Sequence, residues 1–161
     1  MNKIILLIAA LLVPVTANAG TFFRYGVGIF HSADYSSTAV KSFSTGYIGE
    51  VLGPIIYQGE LGYFGDSSGH DRNGSGFGNV GLGVEANPGV FILRSTWAVG
   101  AITSPDAMLG GPFQFNHDFL FGVKGDNGAI IGLDLKHISS AGLESPNLGR
   151  DFLLLHVELP F

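Results

Sequence analysis

Apolar and polar residues alternate along most of this chain with a period of two. The last segment is the clearest, because Leu153, Leu155, Val157, Leu159 and Phe161 all fall on one face. Such alternation predicts β-strands whose two faces meet different surroundings. After residue 20 no segment shows the period of an amphipathic helix. The alternating stretches predict eight strands, at about 21–31, 41–51, 54–64, 78–87, 89–102, 113–124, 129–136 and 152–161.

The two faces of these strands differ in character. One row of each strand is apolar and aromatic, as in Phe91, Leu93 and Trp97. In a soluble barrel or sandwich the apolar row forms the core, whereas in a membrane barrel it faces lipid and the polar row fills the interior. Because an isolated buried ion is costly, we expect the inward charges to pair, with Glu158 and Lys136 as candidate partners. The opposite rows carry the charged residues Arg24, Glu50, Glu60, Glu85, Arg94, Asp118, Lys124, Asp134, Lys136 and Glu158.

The lengths of the connections separate the soluble and membrane alternatives. Tight turns that contain Gly, two of them with Pro, follow the second, fourth and sixth strands, and long polar loops follow the first, third, fifth and seventh. Strict alternation of short and long connections is typical of bacterial outer-membrane barrels. Strands of about ten residues also match the length that crosses a bilayer at a tilt. The fold class predicted is an all-β, eight-stranded antiparallel transmembrane barrel, with a soluble eight-stranded barrel as the alternative. Side chains fill the interior of so small a barrel, which argues against a diffusion pore.

The first residues of the chain resemble a secretory signal peptide rather than part of the fold. A positive start at Lys3 precedes the apolar run 4–13 and the A-x-A pattern at 17–19. That run is too short for a transmembrane helix, which needs about 20 residues. We therefore predict a signal peptide at 1–19 and one barrel domain at 20–161, secreted to the bacterial outer membrane.

Composition excludes several classes of function. The 161 residues are 46% hydrophobic and 13% charged, with 25 Gly and no Cys. The absence of Cys excludes disulfide scaffolds, thiolate metal sites and cysteine nucleophiles. Eight Lys and Arg against 13 Asp and Glu leave no basic surface for nucleic acid.

Candidate chemistry lies where the lipid-facing row of the seventh strand turns polar. The row continues past Leu135 into His137 and Ser139, and Asp151 opens the eighth strand in phase with its lipid row. A serine needs a base to become a nucleophile, and the base needs an acid to fix its tautomer. Ser and His at a strand end are also common interfacial residues, so the residues alone leave both interpretations open. His31, His70 and His117 are scattered and support no site prediction.

The stretch 136–152 resembles the signature of the lipid A 3-O-deacylase family (PagL-type, acyloxyacyl hydrolase-like). It contains His-Ile-Ser-Ser-Ala-Gly, then Pro-Asn-Leu-Gly, then an acidic residue before the last strand. The segment 113–115 at the start of the sixth strand is similar as well. The resemblance implies that Ser139 is the nucleophile, His137 the general base and Asp151 the orienting acid. It implies hydrolysis of the 3-position acyl ester of lipid A in the outer leaflet, without a metal or organic cofactor.

The same resemblance assigns supporting roles and shows two departures. Ser140, Gly142 and Asn147 occupy positions near the family's oxyanion site and loop. The family usually has Asn where this chain has Ser140. Its acid is typically Glu, so Asp151 is one methylene shorter and its reach to His137 is in question.

Two other functions stay open at this point. A non-catalytic structural or adhesive outer-membrane barrel would depend on its loops and not on Ser139. A lipid A acyltransferase would use the same nucleophile with an acceptor other than water. The partners expected are lipopolysaccharide and outer-membrane lipids, and the sequence leaves a homodimer open.

Overall fold

Eight antiparallel strands form a closed barrel in which each strand pairs with its sequence neighbours and the last pairs with the first. The computed structural model describes residues 19–30, 40–65, 74–104, 109–143, 145, 147 and 149–161. The strands are β1 (Ala19–Phe30), β2 (Lys41–Leu52), β3 (Ile55–Phe64), β4 (Ser75–Ala86), β5 (Phe91–Ile102), β6 (Phe113–Lys124), β7 (Ile130–Ser139) and β8 (Arg150–Pro160). The predicted eight-stranded antiparallel barrel is confirmed.

The predicted signal peptide lies outside the described residues except for its last residue. Ala19 begins β1 and pairs with Gly49 of β2. The signal peptide and its cleavage site therefore stay a prediction. No helix among the described residues is long and apolar enough to cross a membrane.

The outer surface of the barrel is apolar. Every strand presents large apolar side chains outward, such as Phe23 on β1, Trp97 on β5 and Leu133 on β7, each more than half exposed. An outer wall of this kind is costly in water and favourable in lipid. The soluble barrel, in which this row would be the core, is the wrong alternative.

The interior is filled by buried side chains, most of them polar at mid-height. Arg24 lies at the centre of this polar layer, and its guanidinium nitrogens reach Glu60 at 3.1 Å, Asp118 at 3.2 Å and Asp134 at 2.8 Å. An apolar layer covers these charges on the long-loop side. The layer toward the long loops contains Val40, Phe64, Phe77, Ile102, Leu109, Ile138, Phe152 and Leu154.

The inward charges pair as expected, but the predicted partners were wrong. Lys136 lies 2.6 Å from Glu60 and 3.1 Å from Asp118, whereas Glu158 lies 2.7 Å from Arg94. The β8 residue opposite Lys136 is Phe152, and Glu158 follows it by six positions. At about 3.3 Å per residue, that separation is about 20 Å. The period of two in the sequence placed both side chains inside the barrel, but it did not give their positions along the barrel axis.

The two ends of the barrel differ. The connections after β2, β4 and β6 are tight turns, while those after β1, β3, β5 and β7 are longer. The amide of Phe161 donates to the carbonyl of Ala19 at the tight-turn end, 3.0 Å away. The connection between β7 and β8 lies at the opposite end, and the candidate chemistry lies beside it.

Candidate active site

The outer row of β7 changes from apolar to polar as the strand approaches the long-loop end. Ile131, Leu133 and Leu135 are exposed on the lipid side, and His137 and Ser139 continue the same row. The intervening residues Asp134, Lys136 and Ile138 are buried inside the barrel. The phase inferred from the sequence is confirmed, and both side chains lie on the outer wall.

His137 and Asp151 form a hydrogen-bonded pair on this wall. They stand directly opposite each other in the β7–β8 ladder. Nδ1 of His137 lies 2.8 Å from Oδ1 of Asp151, and the two side chains are 45% and 39% exposed. When Nδ1–H donates to the carboxylate, Nε2 keeps its lone pair and can accept a proton. Asp151 is one methylene shorter than a Glu would be. It still reaches the imidazole, because the strand register places the two residues directly opposite each other.

Ser139 lies close to this pair without being bonded to it. It is two residues beyond His137, which is about 6.5–7 Å along a strand. Within the described part of the chain, the Ser139 hydroxyl makes no hydrogen bond. The structure therefore brings His137 and Asp151 into contact and leaves the Ser139 hydroxyl as a near neighbour. Catalytic hydrogen bonds are often long in the absence of substrate.

The predicted supporting residues shape the turn that follows Ser139. The side chain of Ser140 is fully buried, and its backbone amide donates to Oδ1 of Asn147 at 2.8 Å. The amide of Leu143 donates to the Ser140 carbonyl at 3.0 Å, and Ala141 and Gly142 between them have φ of 51° and 78°. A positive φ at Ala141 is uncommon for a residue with a Cβ and is often found near functional sites.

Gly149, the glycine of the Pro-Asn-Leu-Gly segment, was given no role from the sequence, yet it lies against the imidazole of His137. A Cβ at this position would lie 2.8 Å from Cε1 of His137 and 3.3 Å from its Nε2. Its φ of 73° also favours glycine. Gly149 therefore lets the chain pass close against the imidazole edge before β8 begins. The family signature includes this glycine, but the sequence alone did not show that it lies beside His137.

A groove on the outer wall extends from His137 and Ser139 across β6 to β5. Its volume is about 280 Å³. Carbon-rich side chains dominate its surface, so it suits a hydrocarbon chain better than a polar molecule. The lining residues are Trp97, Ala98, Val99, Phe115, Asn116, His117, His137 and Ser139.

His117 is the second residue that sequence reasoning missed. It lies directly opposite His137 in the β6–β7 ladder. Its Nε2 is 2.9 Å from Ser95 Oγ, and its ring stacks on Trp97 with centroids 5.1 Å apart. The signal was available, because His117 interrupts the outward row of β6 between Phe115 and Phe119. His31 and His70 lie outside the described residues.

The arrangement supplies the parts of an acyl-transfer site. A histidine oriented by a carboxylate can act as a general base, and a nearby hydroxyl can act as the nucleophile. Both open onto an apolar groove in the lipid-facing wall. Such a site can take an ester whose acyl chain lies along the barrel within the membrane.

Comparisons with known proteins give the same picture. A family model described as lipid A 3-O-deacylase (PagL) matches residues 25–160, a span that includes His137, Ser139 and Asp151. No curated protein sequence matches the chain. The crystal structure of the outer membrane enzyme PagL has a TM-score of 0.62 and 17% identity, covering 87% of this chain and 99% of that chain. The backbone structure of the Yersinia pestis outer membrane protein Ail in a nanodisc has a TM-score of 0.57 and 11% identity, covering 91% and 100%. At these identities the structural likeness shows the fold alone.

Proposed function

Because the chain belongs to the lipid A 3-O-deacylase (PagL) family, we propose that Ser139 attacks the 3-position acyl ester of lipid A, with His137 as general base and Asp151 as the orienting acid. Family membership makes the protein an outer-membrane barrel enzyme of the carboxylic ester hydrolase class. The residues that carry out the hydrolysis are the new part of the proposal.

The observation that supports these roles best is the 2.8 Å contact between His137 and Asp151 on the lipid-facing wall. A charged residue exposed on the outside of a membrane barrel is costly unless it is near the interface or paired. Asp151 is paired with an imidazole, which in turn stands two residues from a hydroxyl. A purely structural barrel has no need for this arrangement in a row that is otherwise apolar.

The proposed chemistry proceeds in two halves. Ser139 Oγ forms a bond to the ester carbon while Nε2 of His137 takes its proton, and the carbonyl oxygen becomes an oxyanion. The oxyanion then collapses, the bond to the sugar oxygen breaks, and the imidazolium gives its proton to that oxygen. Water attacks the acyl-enzyme by the same proton route and releases the fatty acid. Asp151 stabilises the imidazolium in both halves.

The Ser139 hydroxyl makes no hydrogen bond to His137 in this structure, so it must come within reach of Nε2 before it can react. Ser139 lines the groove, so its hydroxyl is open to an ester bound there. Binding of the ester would exclude water from the hydroxyl and favour its contact with the imidazole.

The turn after Ser139 supplies the remaining polar groups. The amide of Ser140 already donates to Asn147, so Ser140 and Asn147 hold the turn in shape. Gly142 is exposed and is the residue of this turn whose amide we assign to the oxyanion. The resemblance places the Asn that stands at position 140 in the family near the oxyanion, and the Ser140–Asn147 hydrogen bond is the reason for assigning that role to Gly142 in this chain.

Mass spectrometry of lipid A from cells with and without the expressed gene tests the proposed function. Hydrolysis at the 3-position predicts the loss of one hydroxyacyl mass when the protein is present. A gain of one acyl chain would instead identify an acyltransferase. An unchanged lipid A from cells that contain folded protein in the outer membrane would favour the structural barrel.

A further inference from the structure

A second polar pair interrupts the apolar outer wall beside the candidate triad. Nε2 of His117 and Oγ of Ser95 are 2.9 Å apart, on β6 and β5. The His117 ring is nearly parallel to Trp97, with an interplanar angle of 10°. Stacking on one side and the hydroxyl at one edge hold the imidazole in a fixed orientation.

The pair borders the groove on the side away from the long loops. His117 is opposite His137, and Ser139 is opposite Phe115, so His117 is a diagonal neighbour of Ser139. Diagonal neighbours have Cα atoms about 7–8 Å apart, within reach of an aromatic side chain. Ser95 is opposite Phe119, one step further from the loops. An acyl chain running from Ser139 toward the bilayer centre therefore passes His117.

A ring nitrogen of His117 that lacks a hydrogen-bond partner is unfavourable on a lipid-facing wall, and a ligand that hydrogen-bonds to it would offset this cost. Nε2 of His117 is engaged by Ser95, and its other ring nitrogen makes no hydrogen bond to any described residue. Polar groups without partners are unfavourable in a lipid environment. The neighbouring outward positions on the same strand are Phe, which shows that the wall has no general need for a polar residue here.

We propose that His117, supported by Ser95 and Trp97, binds the 3-hydroxyl of a 3-hydroxyacyl chain and makes the enzyme selective for hydroxylated esters. The inference rests on the proposed deacylase function and deepens it. In such a chain the hydroxyl is on the second carbon beyond the carbonyl, so an ester carbon held at Ser139 places the hydroxyl near His117. A hydroxyl both donates and accepts, so it can pair with the imidazole nitrogen in either tautomer.

The test compares two synthetic substrates on the purified, folded full chain in detergent micelles. Both are glucosamine phosphates with an ester at the 3-position, one bearing a 3-hydroxytetradecanoyl chain and the other a tetradecanoyl chain. We expect kcat/KM to favour the hydroxylated ester by about tenfold or more, because the non-hydroxylated chain leaves the imidazole unpaired. His117→Phe keeps an aromatic ring against Trp97 and loses the nitrogens, so the ratio should fall close to one.

Two further variants make the result specific. Phe115→Leu, on the apolar part of the groove, should lower both rates together and leave the ratio as in the wild type. Ser95→Ala removes only the supporting hydroxyl and should reduce the preference. It provides the same test if the larger substitution prevents folding, and an unchanged preference in folded Ser95→Ala would then overturn the inference.

The outcomes separate this inference from the proposed function. Equal rates for the two esters in the wild type, or a preference that survives in His117→Phe, would overturn the hydroxyl-binding role while leaving the deacylase intact. Failure of the wild type to hydrolyse either ester would overturn both.

Discussion

At the scale of single residues, the imidazole of His137 is fixed by neighbours that precede or begin β8. Asp151 binds its Nδ1, and Gly149 lies against the Cε1–Nε2 edge of the ring. Together these contacts restrict how the imidazole can turn. The orientation of the proposed base therefore depends on two residues to which we assign no contact with the ester.

The acid should contribute less than the base. Asp151→Asn keeps the size of the side chain and removes its charge, whereas His137→Ala removes the proton acceptor altogether. We expect both variants to lose most activity, with kcat of Asp151→Asn roughly tenfold to a hundredfold above that of His137→Ala. Steady-state deacylation in detergent, on protein shown to be folded, gives the comparison. An inactive His137→Ala beside a fully active Asp151→Asn would remove the acid from the mechanism.

Gly149→Ala should reduce activity without unfolding the barrel. The added Cβ would lie 2.8 Å from the imidazole, so the ring or the loop must move. Gly89→Ala is the matched control, because Gly89 has a similar φ of 71° but nothing within 4 Å of its missing Cβ. We expect a loss of at least about tenfold in kcat for Gly149→Ala and near-wild-type kcat for the control. Equal effects of the two substitutions would show that backbone strain alone is responsible.

At the scale of elements, alternate residues of β7 face the barrel interior and the membrane. Lys136 lies between Glu60 and Asp118 inside the barrel, and His137 faces outward beside it. The sequence predicted this division well, because a period of two assigns each residue to a face. It did not predict which charged side chains form ion pairs, because their positions along the barrel axis depend on the register across several strands.

Lys136→Met should destabilise the barrel. Removing the ammonium leaves Glu60 and Asp118 short of a buried partner, and breaking a buried pair typically costs about 3–5 kcal/mol. Lys124→Met is the control, because Lys124 is exposed at the end of β6. Urea unfolding in lipid vesicles measures both free energies. A free energy of unfolding for Lys136→Met equal to that of the control would contradict the interior pairing described above.

At the scale of the whole molecule, the site depends on strands that are distant in sequence. His137 and Asp151 could be predicted together because one loop joins their strands. The groove also needs Trp97 and Phe115 from β5 and β6, and only the closed barrel with its register places them beside Ser139. The position of His117 in the groove was missed for the same reason, although its phase on β6 was visible.

Hydrolysis of lipid A in the outer leaflet requires the long-loop end of the barrel to face outside the cell. The chain has no Cys, so single cysteines can report the orientation. Leu143→Cys in the β7–β8 connection should react with a membrane-impermeant maleimide on intact cells, whereas Asp126→Cys in the opposite turn should react only after permeabilisation. The reverse pattern would place the site at the inner leaflet, away from lipid A.

The central claim is that the Ser139 hydroxyl is the nucleophile, and Ser139→Ala tests it most directly. Thr45→Ala is the matched control, because Thr45 is also an outward-facing hydroxyl residue but lies on β2, away from the groove. Lipid A deacylation is measured in outer-membrane preparations, with folding checked by heat-modifiable gel mobility on the same samples. We predict that folded Ser139→Ala releases no 3-position acyl chain while Thr45→Ala is as active as the wild type. Full activity in folded Ser139→Ala would contradict the account.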